Sequence, residues 1–251
     1  PFSLINALSD RKLRNYWASS GATSLLPKFV ENMEMKMEYF DHCFIEGDTL
    51  ETSDVVNGGA ELFLYQSGYL TIKGYDDGVY ILGFPNFEVR KALYRVVVPA
   101  LTMKSNSEVV SAQSFLRKMM QDGNTAEAKK ALKALIADVP YSNKKMASMN
   151  MEERYRLIMS TIFRALGFRV EVERMLATGR IDMIVEVPSF IYVLELKLSN
   201  NGGISAAESQ IKEKSYTEPF KADKRKVIAL AVELDETGKG LIDWKEVDES
   251  L

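Results

Sequence analysis

Asp182, Glu195 and Lys197 stand inside GRIDMIVEVPSFIYVLELKL, residues 179–198, a stretch otherwise apolar enough to lie in the middle of a sheet. Two runs rich in β-branched and aromatic residues flank Pro188-Ser189 and read as the strands of a hairpin. A turn there sets Val187 against Phe190, Glu186 against Ile191 and Ile184 against Val193, so that Asp182 falls opposite Glu195. Proline disfavours a tight two-residue turn, but a symmetric four-residue loop gives the same pairing. Directly opposed side chains share one face about 5 Å apart, and two carboxylates placed so repel each other. Lys197 returns to that face because a strand has a period of two. A divalent cation removes the conflict: Mg²⁺ takes one or two carboxylates together with water and phosphate oxygens. A lysine beside such an ion can orient or polarise water and meet phosphate charge. The plainer alternative is a salt-bridged solvent face. Glu34-Met35-Lys36 and Glu127-Ala128-Lys129 repeat the Glu-x-Lys spacing on helical patterns with no acidic strand opposite, so the hairpin, not the tripeptide, carries the signal.

Two helices and a strand end must bring further groups to that hairpin. Residues 151–166 form an amphipathic helix on which Glu152 shares the stripe of Tyr155, Met159, Ile162 and Leu166 and points inward; Glu153 does not. A second helix, residues 205–216, opens on a capping box of Ser205 with Glu208. Gln210 on it shares a face with Ala207, Ile211 and Lys214 and can reach the hairpin. Arg180, opposite Lys197 in the same register, is a candidate phosphate contact. Taken singly, Glu152 also fits an N-terminal dipole partner, Gln210 a surface amide and Arg180 a solvated cation.

Around these residues the order is helix 151–166, strand RVEVERML, the two hairpin strands, helix 205–216 and the apolar strand KVIALAVEL, or α-β-β-β-α-β. Upstream lie a helix capped near Ser9 or Asp10, the loop SSGATS, and a helical pattern from Leu25 to Phe40 carrying Phe29, Met33, Met37 and Phe40. A short helix ending at Ser67-Gly68, strands Tyr69–Ile72 and Val79–Leu82 around GYDDG, and a helix after Pro85 make a winged-helix pattern. Residues 105–139 read as two helices joined at DGN, and VPYSNKKMASMN marks a boundary. The expected divisions are a helical, winged-helix-like domain over 1–104, a helical connector over 105–147 and an α/β domain over 148–251.

The bulk properties narrow the functions. With 46% hydrophobic residues the 251-residue chain can fill a core, and no apolar run is long enough for a membrane span, so a cytoplasmic protein without membrane partners is expected. One cysteine, Cys43, and one histidine, His42, exclude an internal disulfide and a Cys/His zinc site, and both read as ordinary partly buried side chains. Acidic residues outnumber basic ones, 35 to 32, so any polyanion must be met locally. The opening PFSLINALSDRKLRNYW reads as the middle of a longer chain.

The order α-β-β-β-α-β with Asp182, then Glu195-Leu196-Lys197, then Gln210 and Tyr216 in QIKEKSY resembles the PD-(D/E)XK nuclease superfamily. More narrowly it resembles the nuclease domain that follows an AAA-ATPase-like domain in a large bacterial family. NALSDRKLRNYW and LFLYQSGYLTIKGYDDGVYILGFPNFEVR match that family's middle region. The resemblance implies a restriction-endonuclease-like core with a central mixed sheet, and a nuclease cleaving DNA with Mg²⁺, or with Mn²⁺ in its place. It assigns the metal to Asp182, Glu195 and the carbonyl of Leu196, and catalysis to Asp182 and Glu195 with Lys197, Gln210 and Glu152; Tyr216 joins Arg180 as an expected substrate contact. The proline that names the superfamily is absent; Arg180-Ile181 precedes Asp182. The chain contains no G-x-x-x-x-G-K-[ST] phosphate loop, so nucleotide hydrolysis is not expected of it; an ATPase domain in the parent chain is what the resemblance implies. The rival expectation is a non-catalytic recognition or regulatory module on the same fold, its winged-helix-like region binding DNA or a partner; a third is that this segment packs against the ATPase implied by the resemblance, meeting protein rather than DNA. Residues 151–251 carry 15 Lys and Arg against 18 Asp and Glu, a balance that favours the rival.

Overall fold

The computed structural model describes residues 37–52, 59–137 and 149–248, together with Ser9. The loop SSGATS and most of the helical pattern Leu25 to Phe40 lie outside the described residues; its described end, Met37–Asp41, is a 3-10 turn. The chain divides into two compact units, Pro1–Val97 and Val98–Leu251.

In the first unit β1 (Cys43–Glu46), β2 (Thr71–Asp76) and β3 (Val79–Gly83) form a sheet in the order β1-β3-β2. The helices are α1 (Gly47–Glu51), α2 (Gly59–Gln66) and the start of α3 (Phe87–Thr102). The β2–β3 hairpin turns on Asp77 and Gly78, both at positive φ (41° and 86°), so β2 runs on to Asp76, beyond the Tyr69–Ile72 read from sequence. Strand β1 has no counterpart in the sequence reading, and Cys43 on it is fully buried.

In the second unit α4 (Asn106–Gln121) and α5 (Thr125–Ile136) form a hairpin, followed by α6 (Met151–Ala165), β4 (Arg169–Leu176), β5 (Gly179–Glu186), β6 (Phe190–Leu198), α7 (Gly203–Lys214), β7 (Lys226–Leu234) and β8 (Leu241–Val247). The five strands lie in sequence order; only β6 and β7 are parallel, making a mixed sheet. This mixed α/β architecture is consistent with a restriction-endonuclease-like core. Asn150 caps α6 with a reciprocal bond to Glu153, which explains why Glu153 turns outward. Helix α6 packs against β4, β5 and β6, and α7 against β6, β7 and β8. Ala207 and Ile211 of α7 meet Ile184, Val193, Ala229 and Ala231 of the strands in one cluster. Each such branched aliphatic removed from water is worth about 1.5–3 kcal/mol, so this cluster fixes the strands that carry the acidic residues.

The helical pair read as a connector is fastened to this sheet. Tyr192 on β6 donates its hydroxyl to the Met120 carbonyl at 2.6 Å, and Trp244 Nε1 on β8 donates to the Thr125 carbonyl at 3.0 Å. The capping box expected at Ser205 is not used. Helix α7 begins two residues earlier, at Gly203 after its cap Gly202, both at positive φ, and the Glu233 carboxylate on β7 accepts the Ile204 amide at 3.2 Å. A side chain at Gly203, which holds φ 50°, would meet that carboxylate at 2.7 Å and push the Glu233 side chain aside. Among the described residues no helix is long and apolar enough to cross a membrane.

Candidate active site

The β5–β6 register is the one inferred from the turn: Glu186 pairs with Ile191, Ile184 with Val193 and Met183 with Leu194. The ladder ends there. At the next step Asp182 Oδ2, rather than a main-chain carbonyl, accepts the Leu196 amide at 2.9 Å, and the strands separate around two carboxylates. Asp182 and Glu195 are only 4% and 1% exposed. Lys197 Nζ lies 2.6 Å from Glu195 Oε1, while Glu195 Oε2 is buried without a hydrogen-bond partner.

Two residues absent from the sequence reading complete the cluster. Arg156 on α6 is 7% exposed, and its NH1 lies 3.2 Å from both Asp182 Oδ1 and Glu173 Oε1. Its NH2 is 3.9 Å from Glu152 Oε1, one helical turn back, so the inward-facing Glu152 reaches the site in company with a cation. Glu173 is a non-glycine at φ 54° inside β4, facing Asp182; its neighbours Val172 and Arg174 keep their pairs with Met183 and Ile181. A signal for Arg156 was present, since it stands four residues from Glu152 on the same helix face. The opposed-pair logic applied to β4 and β5 would have found Glu173.

Arg180 does not sit opposite Lys197. Because the β5–β6 ladder stops at Met183, Arg180 pairs only with Met175 on β4 and directs its guanidinium to Glu173 Oε1 at 3.0 Å. Tyr216 is fully buried: its hydroxyl donates to the Arg180 carbonyl at 2.9 Å and accepts from Gln210 Nε2 at 2.9 Å. That leaves its ring no surface for substrate, and the pair instead ties α7 to β5 two residues before Asp182.

Burial, and after it the Asp182 carboxylate, pushes Glu195 from its ordinary 4.5 to about 8. Glu152 is raised for the same two reasons in the same order. Burial acts to lower Lys197, but Glu195, Asp182 and Glu152 outweigh it and the ammonium is raised. Since the fold holds the Glu195 proton where the unfolded chain has released it, this stabilising contribution is complete below about pH 4.5 and is lost as pH rises to about 8. Thermal melts in EDTA are expected to show stability falling over that window, with a flatter fall in Glu195→Gln. Equal slopes in the two proteins would refute the assignment.

Two carboxylates and a main-chain carbonyl suit a hard divalent ion, and the buried, unpartnered Glu195 Oε2 is the donor such an ion would satisfy. Among the described residues no three His, Cys, Asp or Glu side chains are arranged to hold a metal, so a ligand set here rests on the pair and not on an acidic triad.

Residues 150–244 match the family model of the PD-(D/E)XK nuclease superfamily. The whole chain is similar, at 25% identity over 265 aligned positions, to an uncharacterized protein in the vnfD 5′ region of Azotobacter chroococcum mcd 1. The chain spans 49% of that relative's length. No solved structure matches.

Proposed function

We propose that the second unit is a divalent-metal-dependent phosphodiesterase, in the first place a DNA endonuclease. The observation that carries this reading is the pair Asp182 and Glu195, both buried, with Lys197 held on one oxygen of Glu195 and the other Glu195 oxygen facing no partner. Asp182, Glu195 and the Leu196 carbonyl would hold Mg²⁺ or Mn²⁺, which supplies Lewis acidity and lowers the pKa of water. Lys197 is kept an ammonium by three surrounding carboxylates, so it donates hydrogen bonds and positive charge toward a phosphate and does not act as a base. Gln210, through Tyr216, holds the Arg180 carbonyl and so keeps Asp182 in place on β5. Glu152 balances Arg156 from the helix.

An ATPase domain elsewhere in a longer parent chain belongs to the same reading, and the length of the relative leaves room for one. The winged-helix-like segment would then meet protein, since TIKGYDDG carries one lysine and two aspartates. The acidic balance of residues 151–251 favours a second reading, a recognition module on the same fold. Supercoiled plasmid incubated with the purified chain separates the two. Nicked or linear product with Mg²⁺ or Mn²⁺ and none in EDTA is the expected result. Uncut plasmid with either ion, under conditions where the chain binds DNA, favours the recognition module.

A further inference from the structure

We propose that Arg156 is the resident counter-cation of the acidic site, which a divalent ion must move off Asp182, and that Glu173 is the partner that keeps hold of it. The inference rests on the reading that Asp182 and Glu195 bind the ion. Of the four carboxylate oxygens of that pair, three are engaged: Asp182 Oδ1 by Arg156, Asp182 Oδ2 by the Leu196 amide, and Glu195 Oε1 by Lys197. An ion shared between Asp182 and Glu195 needs an Asp182 oxygen. The Leu196 amide is part of β6, whose parallel ladder with β7 continues through Leu196, Lys197 and Leu198, so releasing it means moving the strand. The Arg156 contact is made by one flexible side chain and is the one that yields.

Arg156 cannot leave by losing its proton, and at 7% exposure it cannot simply turn to water. It has no need to. The same NH1 that touches Asp182 already lies 3.2 Å from Glu173 Oε1, and NH2 lies 3.9 Å from Glu152 Oε1. A guanidinium presents five donors in a fixed fork, so a small rotation exchanges Asp182 for these carboxylates without stranding the charge. Glu173 is built for that place: it holds φ 54°, a conformation a non-glycine residue keeps only where its surroundings impose it, and Arg180 fixes the same oxygen at 3.0 Å from the other side. Arg156 therefore compensates the buried acids before an ion arrives and makes the ion compete for Asp182, which weakens metal binding.

The test is calorimetric titration of Mn²⁺ into the full chain, native and carrying Arg156→Met, Glu173→Gln, or both. Arg156→Met is expected to tighten Mn²⁺ about tenfold, the order of one charge-assisted contact. Glu173→Gln is expected to weaken it about threefold in the native background and to change it by less than about 1.5-fold beside Arg156→Met, because Glu173 acts through Arg156. Arg156→Lys, which keeps the charge but not the fork, should also tighten binding, and it replaces Arg156→Met if that variant does not fold. Unchanged or weaker binding in Arg156→Met, or an equal effect of Glu173→Gln in both backgrounds, overturns the proposal while leaving the nuclease reading standing. Absence of Mn²⁺ binding by the native chain and every variant overturns both.

Discussion

Replacing Lys197 by methionine is expected to reduce metal-dependent plasmid cleavage by about 10²–10³-fold, the usual cost of removing one preorganised charge from a site that stabilises developing negative charge. The loss should fall on turnover, because the ammonium is bonded to Glu195, beside the carboxylate pair, and not to any structural element outside the site. Methionine keeps the length and the apolar stem, and Glu195, already held partly protonated by burial, tolerates losing its partner. The variant should therefore melt close to the native protein and bind Mn²⁺ at least as tightly, since a competing cation has gone. Cleavage retained within about threefold would remove Lys197 from the chemistry and leave it as a charge balance for Glu195.

The largest effect on stability is expected from Asp182→Ala. That change leaves the Leu196 amide without its acceptor and strips Arg156 of one of its two close partners, both in a buried setting. A buried donor left unsatisfied costs about 1–3 kcal/mol, and breaking a buried ion pair by removing one side costs about 3–5 kcal/mol. Arg156 keeps Glu173, which reduces the second figure. Relief of repulsion against Glu195, which Asp182 helps to raise, offsets part of this loss. A net loss of about 2–4 kcal/mol follows, or a melting point lower by about 5–10 °C for a unit of this size. Asp182→Asn, which can still accept the Leu196 amide, should lose less. An Asp182→Ala chain as stable as the native one would show that the Arg156 contact contributes nothing to the fold.

The hairpin carrying the acidic pair was legible because its turn is marked by Pro188-Ser189 between two apolar runs, so one register places the pairs from Glu186 with Ile191 to Met183 with Leu194. The α-β-β-β-α-β order followed from runs whose periods match their elements. Strand β8 escaped notice for a physical reason: in LIDWKEV the buried residues are Leu241, Trp244 and Val247, spaced by three, with charged residues between them. Strand β1 is only four residues long, too short to show a period. At α7 the local capping signal of Ser205 and Glu208 lost to Gly202, Gly203 and a carboxylate from β7, a partner that is remote in sequence. Arg156 and Glu173 were missed because a hydrophobic pattern reports where apolar faces go. It is silent about a buried charge whose partners come from a helix and two strands.

The same difference explains why, of the seven charged residues of the candidate site, Asp182, Glu195, Lys197, Glu152 and Arg180 were named from sequence and Arg156 and Glu173 were not. Asp182, Glu195 and Lys197 lie on one hairpin, where spacing and geometry are the same thing. Glu152 and Arg156 arrive from α6, Glu173 from β4, and Arg180 turns toward Glu173 because the ladder beside it has ended. Four carboxylates and three cations then meet around the buried Asp182, Glu195 and Arg156, with Arg180 half-exposed at the edge, and their mutual compensation is a tertiary property.

The most direct test of the central claim, that Asp182 and Glu195 form a divalent-metal site, is isothermal titration of Mn²⁺ into the native chain and into Asp182→Asn. That substitution keeps the shape and the Leu196 acceptor while removing the charge. Saturable binding of one ion by the native chain, lost or weakened at least about tenfold in Asp182→Asn, is the predicted result. No binding by the native chain, or binding that Asp182→Asn leaves unchanged, would contradict it.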